Sequence, residues 1–553
     1  MPTRSPNHEA QRHIRAFICS ALFVLAPLTF TTASLSVITN PPDPPTTSTQ
    51  PNLTQPRPLT RLQQEARQAP EPPKIDFVAF CRSRGVSFDG FDSTPFGIAS
   101  KRAAAIRWAF DMFDQHWLQR SGSSWDSAFY HRDNIDRFAT PNPRANAHQT
   151  RSTIAAIDYF EYHGVFTELD KLNVSDPIIL PQPTFFIDGG LKFANNYYGN
   201  TRQLTRLLSL RYWIAIYRKQ PDIAFSTIEP RLALARNLEE SGNLYGFLVA
   251  QSVYTNLLEQ IIDGAIKGDF TPQQYRAIRT KLASIRERDL HPLLSIQRPS
   301  IIRIEWLALQ SDEKILQILP EAEARKLIDY RNQRFESEAE PDPTTPPKPA
   351  RELSYEAALT LLNEFFDLAE RSIATPRFQH RSELATLSAH SRDQSWLTFD
   401  MPRLLMLYIA EQDELDLLLT AADTTIAVEL FRLEHNRLPD SLEELIPKYL
   451  AELPIDICSG KPLIYRKLAG DDIKTFDRDW LLISTGDDQV ENSGRYVQRL
   501  KDGLRDSGMG GDIDLNRTSF FHYPDPYHVA AECCKQAWLT DKPCIHAEPT
   551  KKP

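Results

Sequence analysis

The stretch LEHNRLPDSLEELIPKYLAELPIDICSGKPLIY, residues 433–465, decides the fold near the C-terminus of this 553-residue chain. Residues 414–436 lead into it with apolar side chains at three- and four-residue steps, the pattern of a helix with one buried stripe. Asn436 suits the residue after a helix, and Pro439 prevents the helix from continuing. The pattern therefore predicts a long helix that ends at this point.

The residues after that helix predict a small sheet. Ser441 and Glu444 have the spacing of a capping box, which predicts a short helix to about residue 449. Residues 460–468 and 478–486 are rich in Leu, Ile and aromatic side chains, as strands are. We therefore expect a small α/β module in which the long helix packs on a short antiparallel sheet.

The chain between residues 74 and 410 has the periodicity of amphipathic helices. Gly268 has the position of a helix C′ residue, Thr271 that of an N-cap, and Pro230 predicts a kink or a delayed helix start. Very short connections join four of the predicted helices: 202–220, 222–240, 245–267 and 272–288. The fold class predicted is therefore mainly α, with TPR-like helical hairpins but no fixed repeat, followed by the α/β module.

The N-terminal residues predict a membrane or export signal. Residues 1–15 form a basic flank, and residues 16–38 are uncharged and mostly apolar, long enough to cross a hydrocarbon core of about 30 Å. One interpretation is a single-pass inner-membrane anchor with the bulk of the chain in the periplasm. The other is a signal peptide with Thr31-Thr32-Ala33 as its cleavage site, followed by secretion.

Proline-rich stretches divide the rest of the chain. Residues 41–73 are predicted to form an extended linker with a reach on the order of 100 Å, and residues 335–354 an exposed loop. The predicted regions are then the helical-hairpin domain 74–334, further helices 355–412, the α/β module 413–515 and a cysteine-containing tail 516–553.

Net charge limits the binding partners of the chain, and its cysteines limit the disulfides and metal sites that it can form. A net charge of −9 argues against a nucleic-acid partner, which would require a basic face. Export would permit disulfides, but the sequence leaves their pairing open among Cys81, Cys458, Cys533, Cys534 and Cys544. Adjacent cysteines at 533–534 do not give the usual spacing of a structural zinc site.

No linear motif of a known catalytic site stands out in the chain. It contains no H-E-x-x-H, G-x-S-x-G, P-loop or G-x-G-x-x-G. This favours a non-catalytic protein that binds other envelope proteins. The alternative is an envelope hydrolase whose site lies in the helical region.

Residues 427–465, followed by WLLISTGDD at 480–488, resemble the C-terminal domain of the type II secretion major pseudopilin family. The resemblance covers the module of about a hundred residues at 413–515. Its matching positions, in order, are Arg437, Pro439, Leu442, Leu445, Pro447, Tyr449, Leu450, Pro454, Asp456, Gly460, Pro462, Tyr465, Ser484, Gly486 and Asp488. Pseudopilins have a glycine before the leader cleavage site and a glutamate at the start of the membrane helix. The stretch RHIRAFICSALFV, residues 12–24, has neither. The resemblance therefore implies a pseudopilin-type globular domain in another architecture, with an interaction or assembly role linked to type II secretion.

The resemblance also implies a calcium site, because acidic residues after the last strand hold calcium in that family. The corresponding residues here are Asp487 and Asp488, with Asp512 and Asp514 as a second acidic pair. Carboxylates, backbone carbonyls and water are the oxygen ligands that calcium binds. The family loop is shorter, because residues 495–509 separate the two pairs here. The alternative is a solvated acidic loop.

Overall fold

The structure is a computed structural model. The residues that it describes are 61–73, 77–84, 157–176, 183–186, 191–193, 197–240, 244–288, 290–337, 354–380, 382–383, 386, 401–476, 478–486 and 513–515. All of them fall in one compact unit, Leu59–Pro553. The predicted membrane segment 16–38 and the tail 516–553 lie outside the described residues.

The described part is mainly helical, with small antiparallel sheets. Its helices are α1 (Arg61–Gln68), α2 (Phe77–Ser83), α3 (Val165–Leu169), α4 (Tyr197–Tyr217), α5 (Pro221–Ser226), α6 (Ile228–Glu239), α7 (Leu244–Ile266), α8 (Pro272–Arg286), α9 (His291–Ala308), α10 (Asp312–Ile318), α11 (Glu321–Ser337), α12 (Tyr355–Ala374), α13 (Met401–His435) and α14 (Asp471–Phe476). The strands are β1 (Pro183–Phe186), β2 (Leu191–Phe193), β3 (Ile464–Lys467), β4 (Trp480–Ser484) and β5 (Ile513–Asp514). None of the described helices is long and apolar enough to span a membrane.

Local signals correctly located the end of α7 and the start of α8. Thr271 accepts a hydrogen bond from the Gln274 backbone, and the Gln274 side chain accepts one from Thr271, so α8 begins with a capping box. Gly268 follows α7 with a φ of 71°, the left-handed conformation of a C′ residue. Pro230 lies in the first turn of α6, because the predicted helix 222–240 is divided into α5 and α6 at Thr227.

Helix α13 is the centre of the fold. It has 35 residues and packs on α7, α12 and α8. The prediction of one buried stripe is wrong for this helix, because its middle is buried around the circumference: Leu415, Leu417, Leu418, Leu419, Ala421, Ala422, Ile426, Ala427 and Val428. Leu433, an apolar residue of the same predicted helix, is 56% exposed. Neighbours on several sides bury faces that periodicity alone assigns to solvent.

The C-terminal sheet has the order β3-β4-β5, and both pairs are antiparallel. Strand β4 is buried along its whole length, and its Trp480 packs in the same hydrophobic core as Tyr212 and Leu257 of the helical region. Residues of the predicted hairpin domain and of the predicted module thus share one core. Helix α13 runs through residue 413, where the sequence predicted a boundary.

Two elements in the described part were not expected. The chain between 74 and 410 was predicted to be helical, yet β1 and β2 form an antiparallel pair. The prediction of an extended linker over 41–73 is wrong for α1, where Leu62 and Ala66 are buried against the helical region. A helix of eight residues is marginal alone, so its tertiary contacts stabilise it.

The predicted short helix after Ser441 is also wrong in detail. Only a single 3-10 turn forms, at Leu442–Leu445, and the Ser441 side chain accepts no capping hydrogen bond from that turn. Glu444 instead accepts from the Asp440 backbone N–H and pairs with Arg437. The capping box is replaced by an ion pair because Glu444 turns toward the preceding loop.

Candidate functional site

Asp456, in the pseudopilin-like stretch, is the centre of a buried hydrogen-bond cluster. Its Oδ1 accepts from the Ser484 hydroxyl at 2.7 Å and from the Cys458 backbone N–H at 3.0 Å. Its Oδ2 accepts from the Ser459 hydroxyl at 2.9 Å and from both the N–H and the hydroxyl of Thr485 at 3.1 Å. One carboxylate therefore joins the 454–462 loop to the end of β4.

Local sequence brings Asp456 to this position. The Asp456 backbone exchanges hydrogen bonds with Lys461 and Gly460, which closes a tight loop. Gly460 has a φ of 71°, and a side chain there would meet the Phe378 ring at 3.0 Å. Glycine fits both the positive φ and the close approach. Cys458, one of the candidate disulfide residues, is buried in this loop.

Strand pairing brings two chain positions of the predicted calcium site together. Ser484 pairs with Ile513 and Ile483 with Asp514 in an antiparallel register. The chain that leaves β4 through Gly486 and the chain that enters β5 at Ile513 are therefore at the same end of the sheet.

Of the four predicted calcium ligands, only the backbone of Asp514 is described. Asp487, Asp488 and Asp512 lie outside the described residues, and so does the side chain of Asp514. Within the described ranges, no group of three or more His, Cys, Asp or Glu residues is arranged to hold a metal ion.

A second polar cluster joins α13 to β4. The Trp480 indole N–H donates to Glu429 at 3.2 Å, and Arg432 pairs with both Glu429 and Asp479. Burial raises the pKa of Glu429 to about 7, against the opposing effects of Arg432 and the Trp480 hydrogen bond. This cluster holds the sheet against the long helix.

A cluster of aromatic and charged side chains stabilises the C-terminal end of α13. Tyr449 donates to Glu434, which also pairs with Lys448. His435 Nε2 lies 3.1 Å from the Tyr449 hydroxyl, and both rings pack on Phe431. His435 thus belongs to the packing of the helix end. Asn436 follows with a φ of 54°.

A cavity of about 410 Å³ lies in the helical region, between α2, α6, α7 and α8. Its lining mixes apolar side chains with arginines and glutamates. Glu239 pairs with Arg288 and accepts a hydrogen bond from Tyr254 at 3.3 Å. Burial raises the pKa of Glu239, and the positive charge of Arg288 opposes this rise. Arg84 and Glu240 form a second ion pair at the cavity, 3.2 Å apart.

Sequence reasoning missed the partners of these side chains. Asp456 was included as a matching position of the family, but not as a hydrogen-bond centre. Glu239 and Arg288 are 49 residues apart, and no linear motif connects them. No family model, no curated protein and no solved structure matches this chain.

Proposed function

We propose that this chain is a non-catalytic bacterial envelope protein, tethered or exported through residues 16–38, which acts in interaction or assembly through a pseudopilin-like module. The observation that carries the proposal is the antiparallel register of β4 and β5. It brings Gly486 and Ile513 to one end of the sheet, although 26 residues separate them along the chain. The inserted residues 495–509 are therefore compatible with a family-type acidic loop at that end.

Calcium is the ligand we propose for this end of the sheet. Asp487 and Asp488 follow Gly486 directly, and Asp512 precedes Ile513. The Asp456 hydrogen bonds fix Thr485, two residues before the first of these carboxylates. A fixed loop base reduces the conformational entropy lost when carboxylates gather around an ion. Asp514 would complete the oxygen ligands, together with backbone carbonyls and water.

The TPR-like hairpins are the surface we propose for partner binding. Helices α4, α5, α6 and α7 pack on one another, and α7 and α8 pack on α13, which continues into the module. The shared core would transmit the position of a partner on the hairpins to the module. This coupling supports an assembly role for the whole unit.

The cavity is the place where the hydrolase alternative would have its site. Glu239 faces Arg288 and Tyr254 there, and Glu240 faces Arg84. Both arginines are partly buried, and the carboxylates hold them in place. The arrangement is therefore accounted for by ion pairs that stabilise the packing of the helices.

The test is thermal unfolding of the purified full-length protein with calcium and then with a chelator. We expect calcium to raise the melting temperature, because an ion bound only by the folded state stabilises that state. Asp488→Ala should abolish this rise, since it removes a proposed ligand. Magnesium at the same concentration is the ionic control.

Asp472→Ala is the matched control variant, because Asp472 is an exposed acidic residue of the same module. It should keep the full calcium response. An unchanged response in Asp488→Ala, or an equal response to magnesium in both variants, would remove the calcium proposal.

A further inference from the structure

Residues 61–73 lie across the ends of two helices of the main body. Leu62 and Ala66 on one face of α1 are buried against Leu309 and Ala358, which belong to the end of α9 and the first turn of α12. The two residues are four positions apart, so they project from the same side of the short helix. The body thus offers an apolar groove, and α1 is seated in it.

Polar groups of the groove match the backbone of the segment. The indole N–H of Trp306 donates to the Ala69 carbonyl at 3.3 Å, and Gln310 donates to the Ala66 carbonyl at 3.0 Å. Both Trp306 and Gln310 are almost fully buried. Ala66 and Ala69 lie in the last turn of α1 and just beyond it, where backbone carbonyls have no partner within the helix. The groove therefore supplies the donors that a helix C-terminus needs.

Acidic side chains of the segment match the charge of the groove. Glu65 accepts from the backbone N–H of Tyr355 at 2.7 Å, and Tyr355 is the first residue of α12. A carboxylate at that position satisfies a free N–H and faces the positive end of the helix dipole. Glu71 pairs with Arg303 of α9. The groove thus binds the segment through apolar packing, hydrogen bonds and an ion pair.

We propose that the groove formed by α9 and α12 is a docking site for an amphipathic helical segment, and that the chain occupies it with its own residues 61–73. This inference rests on the interaction role proposed above and deepens it. The intramolecular segment acts as an autoinhibitory ligand. A partner that enters the groove must displace it.

The seated segment defines the chemistry of that partner. It requires two small or medium apolar residues four positions apart and a carboxylate at the position before the second of them. Two backbone carbonyls near the C-terminus of the helix must then accept hydrogen bonds from Trp306 and Gln310, and a second acidic residue must pair with Arg303.

The test uses a fluorescent synthetic peptide of residues 61–73 and three full-length proteins. The wild type is compared with the double variant Leu62→Asp, Ala66→Asp, which opens the groove by placing charges at the buried positions. The matched control is Gln64→Asp, Gln68→Asp, which adds the same charge on the exposed side of α1. The readout is fluorescence anisotropy.

We expect the peptide to bind the opened variant at least about tenfold more tightly than the wild type or the control. An intramolecular competitor acts at an effective concentration of about millimolar, so it excludes a dilute free peptide. A peptide that carries Leu62→Asp and Ala66→Asp should bind none of the three proteins. Equal binding to all three proteins, or no binding to a folded opened variant, would overturn the proposal.

Hydrogen exchange of residues 62–69 provides a readout that does not depend on the peptide. These amides should exchange slowly in the wild type and the control, and at least about tenfold faster in the opened variant. Fast exchange in the wild type would overturn the proposal. If the double variant does not unfold cooperatively, Ala66→Asp alone is used in both measurements. The calcium response depends on residues of the C-terminal module, none of which forms the groove, so either proposal can fail without the other.

Discussion

At the scale of single residues, Asp456 is the side chain on which the C-terminal module depends most. Replacing it with alanine would leave the Ser484 hydroxyl and the backbone N–H groups of Cys458 and Thr485 without their acceptor. We expect Asp456→Ala to lower the free energy of unfolding by about 2–4 kcal/mol, because buried donors without partners are costly. Urea denaturation of the full-length protein measures this loss.

Ser459→Ala is the control for Asp456, because it removes only one of the five donors. Its cost should be about 0.5–1.5 kcal/mol. Equal losses in the two variants would mean that the carboxylate does not organise the loop. The sequence marked Asp456 by its place in a pattern, but its partners at 484 and 485 are brought to it only by the sheet.

Glu429 gives the module a dependence on pH. Its pKa is raised from an ordinary value of 4.5 to about 7 by burial, so the folded state binds its proton more tightly than the unfolded state. The associated stability is fully present below about pH 4.5 and is lost as the pH rises through about 7. Glu429→Gln removes this titration and keeps an acceptor for Trp480. Relative to the wild type, it should therefore gain about 1–3 kcal/mol between pH 4.5 and 8.

Glu434→Gln is the control for this pH effect, because the pKa of Glu434 shifts in the opposite direction. Hydrogen bonds from Lys448 and Tyr449 lower it, so its contribution is present above its ordinary pKa and lost as the pH falls. In urea denaturation between pH 4.5 and 8, the stability difference between Glu429→Gln and the wild type should grow with pH, whereas that of Glu434→Gln should stay nearly constant, because Glu434 titrates below about pH 4.5. A difference that grows equally with pH in both variants would contradict the assignment of Glu429.

At the scale of elements, helix α7 contains a glycine that its packing requires. A Cβ at Gly264 would lie 2.7 Å from Cε2 of Phe270 and closer still to the Tyr212 hydroxyl. We expect Gly264→Ala to lower the free energy of unfolding by about 1–3 kcal/mol, despite the higher helix propensity of alanine. Thermal or urea unfolding measures the change.

The hydroxyl contact makes this prediction specific. In a Tyr212→Phe background, Gly264→Ala should cost less, because the clashing oxygen is gone. Gly268→Ala is the comparison for Gly264→Ala, because position 268 has open space around it and a φ of 71°. Its cost of about 1 kcal/mol should not depend on Tyr212. If Gly264→Ala costs the same in both backgrounds, packing against Tyr212 is not the cause.

At the scale of the whole molecule, α13 joins the hairpins and the sheet in one core. Side chains such as Leu418 and Ile426 belong to the same hydrophobic cluster as Leu257 of α7 and Leu482 of β4. We therefore expect a fragment of residues 401–553 to show no cooperative thermal transition by circular dichroism. Without α7 and α8 it would expose much of the apolar surface of α13.

The fragment 59–553 is the positive control and should unfold cooperatively, because it contains the whole compact unit. A cooperative transition in residues 401–553 alone would show that the module is an independent domain. The calcium experiment is accordingly designed on the full-length chain.

The sequence by itself located helices α7 and α8 and the C-terminal end of α13. Thr271, Gly268 and Asn436 act through neighbouring residues, because capping groups and left-handed turns involve atoms only a few positions apart. The main class, helical with a small antiparallel sheet, follows from the same local periodicity.

Only the tertiary structure decided which faces are buried and which distant residues meet. In the folded chain, neighbouring elements bury α13 on several sides, and Ser484 donates to Asp456. Strand β4 pairs with β5, and α1 packs against α9 and α12. Each of these depends on segments tens to hundreds of residues apart, whose approach is set by how the available apolar surfaces cover one another. Periodicity predicts that a helix buries one face, but the elements that pack on it determine how much of its surface is buried.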